Sequence, residues 1–417
     1  MSQTVSSSAG VSGPVLTCDV VVVGGGLVGG TLACGLAQHG VSTICIDKDD
    51  AAVLLDTGYD GRSSAIALAC QRVLDGTGVW AHMVADVQPI LDIRVTDSNS
   101  PLHLHYDHRE VGAPMGYMAE NRTIRRGILA RFAELEKATL LAPASVAAVE
   151  RRVDGATVTL TDGRVIRARL VVAADGRRSQ IREMAGIRLQ HGLPYNQVGI
   201  VMTVWHEKDH RGIAHERFLP SGPFAILPLP GGHHSSLVWT EKDPLAWTIL
   251  KLPEEEFHAE LMSRFGDFLG EVKVVSKRFG YPLTLQHASR YIDLRLALVG
   301  DAAHGMHPVA GQGMNFGLRD VAALIEKVVE AKRLGVDVGA ATVLEGYQKW
   351  RRFDNVLMLG MTDGLVRLFS NDLAPLRLAR TAGMAVVNKL PGLKRFFMRH
   401  AMGDVGALPK LMQGEPL

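Results

Sequence analysis

The chain has 417 residues and a mass of 45.1 kDa, enough for two to three domains. Hydrophobic residues make up 47%, charged residues 21%, and the net charge is +2. That balance excludes wholesale disorder, collagen-like repeats, a polytopic membrane protein and a strongly basic nucleic-acid binder.

Met1 to Thr17 is rich in Ser and Gly and carries no Lys or Arg. It reads as a flexible tail over residues 1–17 rather than a secretory signal, which needs a charged start and a compact apolar run. Cys18, Cys34, Cys45 and Cys70 form no C-x-x-C pair. They read as reduced thiols packed as small hydrophobes, in keeping with a cytoplasmic protein. Val20 to Ala37 is eighteen residues without a charge, long enough for a membrane span. Its valines cluster before its glycines, however, which predicts strand, tight turn and helix instead. Cys18–Val23 is then a buried parallel strand, Leu27–His39 a helix ending at Gly40, and Ser42–Asp47 a second strand.

Ser145–Val153, Ala156–Thr161 and Arg164–Ala174 read as three strands. Asp154-Gly155 and Asp162-Gly163 separate them, and Asp-Gly is a strong hairpin signal. Tyr195–Trp205, Glu216–Pro228 and Ser235–Thr240 again suggest sheet. Leu294–Val299 is a short buried strand, and Gly313–Lys332 a long helix.

Three motifs carry chemistry. Gly24-x-Gly26-x-x-Gly29 lies between strand and helix: the first glycine permits the turn, the second admits a pyrophosphate, the third lets helix and strand pack closely. The helix N-terminus presents free N–H groups to the phosphates. Asp47 follows Gly26 by 21 residues, where a carboxylate accepts adenosine-ribose hydroxyls and repels a 2′-phosphate, so FAD or NAD fits. Asp175-Gly176-x-x-Ser179-x-x-Arg182 ends the third meander strand, at the carboxyl edge where ligands sit in open α/β sheets; a plain strand exit is the equal alternative. Gly300-Asp301-Ala302-Ala303-His304 precedes Pro308 and then Gly311-Gln312-Gly313-Met314-Asn315-x-Gly317-x-x-Asp320. There Asp301 can hydrogen-bond polyol hydroxyls, and a helix opening after Gly311–Gly313 can stabilise charge on an electron-rich ring.

In this order and spacing the three motifs resemble the class A flavoprotein monooxygenases, the p-hydroxybenzoate hydroxylase-like group. Asp60-Gly61-Arg62-Ser63-Ser64-Ala65-Ile66-Ala67-Leu68, Gly116-Tyr117-Met118-Ala119-Glu120-Asn121-Arg122, Glu216-Arg217-Phe218-Leu219-Pro220, Gly222-Pro223-Phe224-Ala225-Ile226-Leu227-Pro228 and Tyr281-Pro282-Leu283 resemble the aromatic-ring hydroxylases of ubiquinone biosynthesis. Within those, the 2-octaprenyl-6-methoxyphenol hydroxylase type is the nearest likeness. The resemblance covers about Asp19 to Gly360.

It implies an α/β fold: an FAD/NAD(P)-binding Rossmann-like domain with an inserted antiparallel β-sheet substrate domain and a C-terminal helical segment. The FAD-binding domain would comprise 18–88, 114–187 and 286–360, the substrate domain 89–113 and 188–285, and the helical segment 361–417. Gly24, Gly26, Gly29 and Asp47 would hold the ADP half of FAD. Arg62, Asn121 and Arg126 would line its pyrophosphate and ribityl region, and Asp175 would contribute near the adenosine. Gly300 and Asp301 would meet the ribityl or pyrophosphate. Pro308, Gly311, Gln312, Gly313 and Asn315 would border the isoalloxazine. Such enzymes reduce FAD with NAD(P)H, add O₂ to form a C4a-hydroperoxyflavin, and hydroxylate a phenolic ring, here a prenylated phenol. The alternatives are a hydroxylase of a small soluble phenol, or a flavin-loaded scaffold subunit of a membrane-associated, multi-enzyme biosynthetic complex.

No general base is assignable from the sequence. His103-x-His105-x-x-His108 reads as an exposed strand edge rather than a metal cluster, since His108 leaves the face that His103 and His105 share; no metal is expected. His233-His234 reads as a solvent-facing turn. His304 has no visible carboxylate partner and receives no acid–base role. From Met361 to Met402 seven Lys/Arg face two acids among interleaved Leu and Phe residues. Such a segment either lies on an anionic inner-membrane surface or caps the FAD domain with a solvated basic face.

Overall fold

The computed structural model describes residues 15–55, 61–97, 103–191, 195–305, 313–369, 383 and 387–417. An eight-stranded sheet forms its base, in the order 292–293, 296–298, 165–173, 16–23, 43–46, 138–141, with 155–160 and 146–152 extending it as a meander from 165–173. Leu16–Val23 pairs in parallel with Val165–Ala173 on one side and Thr43–Ile46 on the other. Val20, Val21 and Val22 are fully buried, as a parallel strand covered on both faces requires. The apolar stretch at Val20–Ala37 is therefore a strand, a glycine turn and the helix Leu27–Gln38. Among the described residues no helix is long and apolar enough to cross a membrane. Both Asp-Gly hairpins form as expected. Cys34, Cys45 and Cys70 are buried free thiols, and burial pushes Cys34 and Cys70 up to about 12, so they pack as protonated hydrophobes.

A second eight-stranded sheet runs in the order 272–274, 197–206, 234–242, 222–229, 213–219, 92–97, 103–107, with 279–282 also pairing 197–206. The run Glu216–Pro228 is two strands, Ile213–Leu219 and Gly222–Leu229, folded back on each other at Pro220-Ser221. One joint is parallel, between 213–219 and 92–97, because those strands come from separate stretches of chain and no hairpin links them. One face packs under the helices Asp243–Leu250 and Glu254–Phe265 through Phe224, Trp239, Phe257 and Phe265. The other face, through Ala214, Ala225, Leu227 and Leu229, meets Ala65 and Met118 of a three-stranded sheet (63–67, 116–120, 88–90).

The helix Ala341–Phe369 runs on past position 360. Pro391–Ala401 is a further helix whose Met398 is fully buried, with Met402 beyond it, in the same cluster as Ala65 and Ala225. Lys394 is buried too and donates to Glu110, so it contributes nothing to a solvated basic face. Leu411 and Met412 return to the core of the first sheet. Met398→Ala should cost about 2–5 kcal/mol, the usual loss for a buried methionine cut to alanine. Urea unfolding measures it, and a loss under 0.5 kcal/mol would mean that the helix does not pack in solution.

Candidate functional site

The glycine turn between the first strand and helix has the geometry that a dinucleotide needs. Gly24 has φ +103°, a conformation that side chains rarely adopt, and a Cβ there would strike the Ala174 carbonyl. A Cβ on Gly29 would overlap the Gly24 carbonyl oxygen, so this glycine permits helix and strand to touch. Gly26 is different. A Cβ on it would meet nothing within 4 Å, and that open space lies at the cap of Leu27–Gln38, where backbone N–H groups are unspent. The cradle fits a pyrophosphate. Asp47 ends the second strand with one carboxylate oxygen accepting from the Gly25 N–H at 2.7 Å and the other from the Asp49 N–H at 2.9 Å. These bonds fix the carboxylate beside the turn and leave each oxygen a lone pair for ribose hydroxyls.

Arg62 is exposed and its guanidinium sits 5.0 Å over the ring of Tyr281, at the border with the second sheet. Asn121 is buried at the start of the helix Asn121–Glu134; its N–H donates to the Arg62 carbonyl at 3.0 Å, and its amide oxygen accepts from the Ser64 hydroxyl at 2.8 Å. Arg126, expected to line the pyrophosphate and ribityl region, pairs with Asp86. That pair opens onto a cleft of about 410 Å³ whose walls include Arg122 and Thr123 on one side, Thr203, Leu229 and His234 on the other.

Asp175 turns inward: one oxygen accepts from the Ile181 N–H at 3.2 Å, tying down the short helix Gln180–Met184, while the other is buried without a hydrogen-bond partner among the described residues. Burial pushes its pKa up against its hydrogen bonds. Asp301 lies in the turn Gly300–Ala302 with a half-open side chain, 3.7 Å from the Arg177 guanidinium. Gly300 has φ +58°, and its N–H donates to Asp320 at 3.0 Å.

His304 corrects an expectation. It has a carboxylate partner: its Nε2 lies 2.6 Å from Asp320, which also accepts from Arg351 at 2.9 Å, all three residues being buried. Sequence reading missed the pair because Asp320 lies 16 residues on, in the helix Gly313–Arg333. Asn315, on the same helix, spends its amide on strand Ser63–Ala67, accepting from the Ala67 N–H at 2.9 Å and donating to the Ala65 carbonyl at 2.8 Å. Gly313 opens that helix with nothing within 4 Å of a Cβ. Pro308, Gly311 and Gln312 lie outside the described residues.

Among the declined histidines, His105 and His108 converge on Asp92, at 3.2 and 3.5 Å, rather than pointing apart. Asp107, which completes that group, is held by Arg109. His233 is half-buried and pairs through Nδ1 with the His206 carbonyl, so its turn does not face solvent freely.

Asp301→Ala should weaken FAD binding by about 1.5–3 kcal/mol, the usual worth of a charge-assisted hydrogen bond. Fluorescence titration of the apoprotein with FAD measures this, and an unchanged dissociation constant would show that the carboxylate does not touch the cofactor.

The model of a family described as "FAD binding domain" matches residues 17–352. Ubiquinone hydroxylase UbiL of Rhodospirillum rubrum is 61% identical over 402 residues, covering 96% of this chain and 93% of that protein. The 3-demethoxyubiquinol 3-hydroxylase of Escherichia coli K12 is 37% identical, covering 92% and 98%. Among solved structures, p-nitrophenol 4-monooxygenase PnpA from Pseudomonas putida DLL-E4 superposes with a TM-score of 0.79 at 20% identity, over 94% of this chain and all of that one, which shows a common fold. The chain belongs to the family of FAD-binding flavoproteins that includes the ubiquinone hydroxylases.

Proposed function

We propose that this protein is an FAD-dependent monooxygenase that hydroxylates the ring of a polyprenylated phenol in ubiquinone biosynthesis, with NAD(P)H as reductant and O₂ as oxygen source. The observation that carries the reading is the open space at Gly26, between the tight turn at Gly24 and the tethered Asp47, in a chain that matches a ubiquinone hydroxylase along nearly its whole length. The full-length ubiquinone relatives favour a prenylated phenol over a small soluble one, and turnover over a scaffold role.

FAD, when bound, supplies the electron and oxygen transfer. The chain's own residues bind, orient and exclude water. Gly24, Gly26 and Gly29 form the pyrophosphate seat, Asp47 takes the adenosine ribose, and Asp301 takes hydroxyls further along. Asn315 locks strand Ser63–Ala67 against the helix that opens at Gly313, which fixes the wall between cofactor and second sheet. The apolar cluster between the sheets excludes water from that wall. The segments 18–88, 114–187 and 286–360 serve the cofactor, and 89–113 with 188–285 the substrate. The purified protein should bind FAD and oxidise NAD(P)H faster when a prenylated phenol is added, with hydroxylated product formed. No flavin absorbance after incubation with excess FAD would overturn the reading.

The substrate's prenyl chain partitions into membranes, and the helix Pro391–Ala401 carries a surface suited to follow it. Leu390, Leu393 and Phe396 are 50%, 37% and 48% exposed, and Lys389, Arg395 and Arg399 are exposed around them. A basic rim with apolar side chains inside it binds an anionic bilayer peripherally, at about 1 kcal/mol per Lys or Arg near the surface. Replacing Lys389, Arg395 and Arg399 with Gln should release the protein from anionic vesicles in a low-salt cosedimentation assay while FAD content stays normal. No vesicle binding by the intact protein would end the membrane reading.

A further inference from the structure

Glu216 belongs to the motif Glu216-Arg217-Phe218-Leu219-Pro220, to which no role attaches so far. It is 6% exposed in the middle of strand Ile213–Leu219, and its Oε1 is buried with no hydrogen-bond partner among the described residues. A buried carboxyl left unpaired costs stability and needs a reason. Its neighbours fix which way it points. His215 packs its ring at a tilt against Phe268, and Arg217 donates to carbonyls of the helix Glu254–Phe265. Alternation along a strand therefore turns Glu216 to the opposite face, with Ala214 and Phe218.

That face looks toward the cofactor side. Ala225 stands directly across from Glu216 and packs in one cluster with Ala65, whose backbone Asn315 grips. One strand, Ser63–Ala67, separates the acid's surroundings from the helix that opens at Gly313. The same face carries two more buried hydroxyls without partners among the described residues, Ser236 and Thr240, flanking Val238, which pairs with Ala225. Two strand spacings and a two-residue offset along the strand, roughly 12 Å in all, separate each of them from Glu216. Ala225 and Val238 lie between, with Leu227 across from Ser236, all of them apolar, and Val95 flanks Glu216 on its other side. Apolar walls with oxygen ligands at either end suit a flat ring bearing oxygen substituents.

We infer that Glu216, with Ser236 and Thr240, is the subsite that receives the ring oxygens of the phenol. The inference rests on the reading of the chain as a phenol hydroxylase. Burial alone pushes the Glu216 carboxyl up to about 8, so at neutral pH it keeps its proton and can donate to a ring oxygen as well as accept from one.

The test uses the full-length, FAD-loaded protein and 2-allyl-6-methoxyphenol as probe, reading the change in bound-flavin absorbance and the thermal midpoint. Glu216→Leu should raise the probe concentration for half-saturation about tenfold. It should also raise Tm, because an unpaired buried acid is replaced by an apolar group of similar size. Glu216→Gln, which keeps a donor and an acceptor in the same shape, should stay within about threefold of the parent. Unchanged titration of the Leu variant overturns the subsite, as does weakened binding with a lowered Tm, the mark of a structural role. A parent protein silent to the phenol in both absorbance and NAD(P)H oxidation overturns the hydroxylase reading itself, and the subsite with it.

Discussion

The Asp320 carboxylate is the point on which the cofactor side of this molecule hangs. Fully buried, it accepts from the Gly300 N–H, from Arg351 and from Asn355, and it pairs with His304. Those partners come from the turn after the last core strand, from the small sheet that holds His304, and from the helix Ala341–Phe369. Burial by itself would raise this carboxyl, but the charge and hydrogen bond of His304, then those of Arg351, outweigh it and hold the pKa at about 2. The sign follows: the group stabilises the fold above its ordinary pKa near 3.9 and loses that contribution as pH falls toward about 2. Removing one partner of such a buried pair typically costs about 3–5 kcal/mol, because the other charge is stranded. Asp301 is therefore held in place from behind.

Strand Ser63–Ala67 plays the complementary part on the other side. Asn315 grips its backbone, Ser64 bonds Asn121, and Ala65 packs on the second sheet. A single strand is thus shared between the cofactor motifs and the sheet that carries Glu216. Any shift in it is felt on both sides, because packed interiors transmit displacement.

Much of the cofactor half was legible in the sequence because its logic is local. Gly24, Gly26 and Gly29 lie within a stretch of six residues, and their steric roles follow from spacing alone. Local Asp-Gly turn signals also mark both meander hairpins. What escaped depends on distant chain. Asp86 claims Arg126, Glu110 claims Lys394, and Asn315 reaches strand residues 248 and 250 positions away. Nothing in the periodicity of either partner announces such pairs. The split of Glu216–Pro228 into two strands was hidden for another reason: Pro220-Ser221 is a weaker turn signal than Asp-Gly, and the flanking residues are strand-like on both sides.

The separation of the motifs along the chain also sets the order of events at the ribosome. Gly26 and Asp301 lie about 275 residues apart, which at about 5–20 residues per second is roughly 14–55 s of synthesis. The first strand meanwhile lacks its parallel neighbour Val165–Ala173, and that neighbour lacks Leu296–Leu298. Arg351, which secures Asp320, emerges later still. The nascent N-terminal half therefore spends most of its synthesis with valine-rich edges unpaired, a natural client for chaperones.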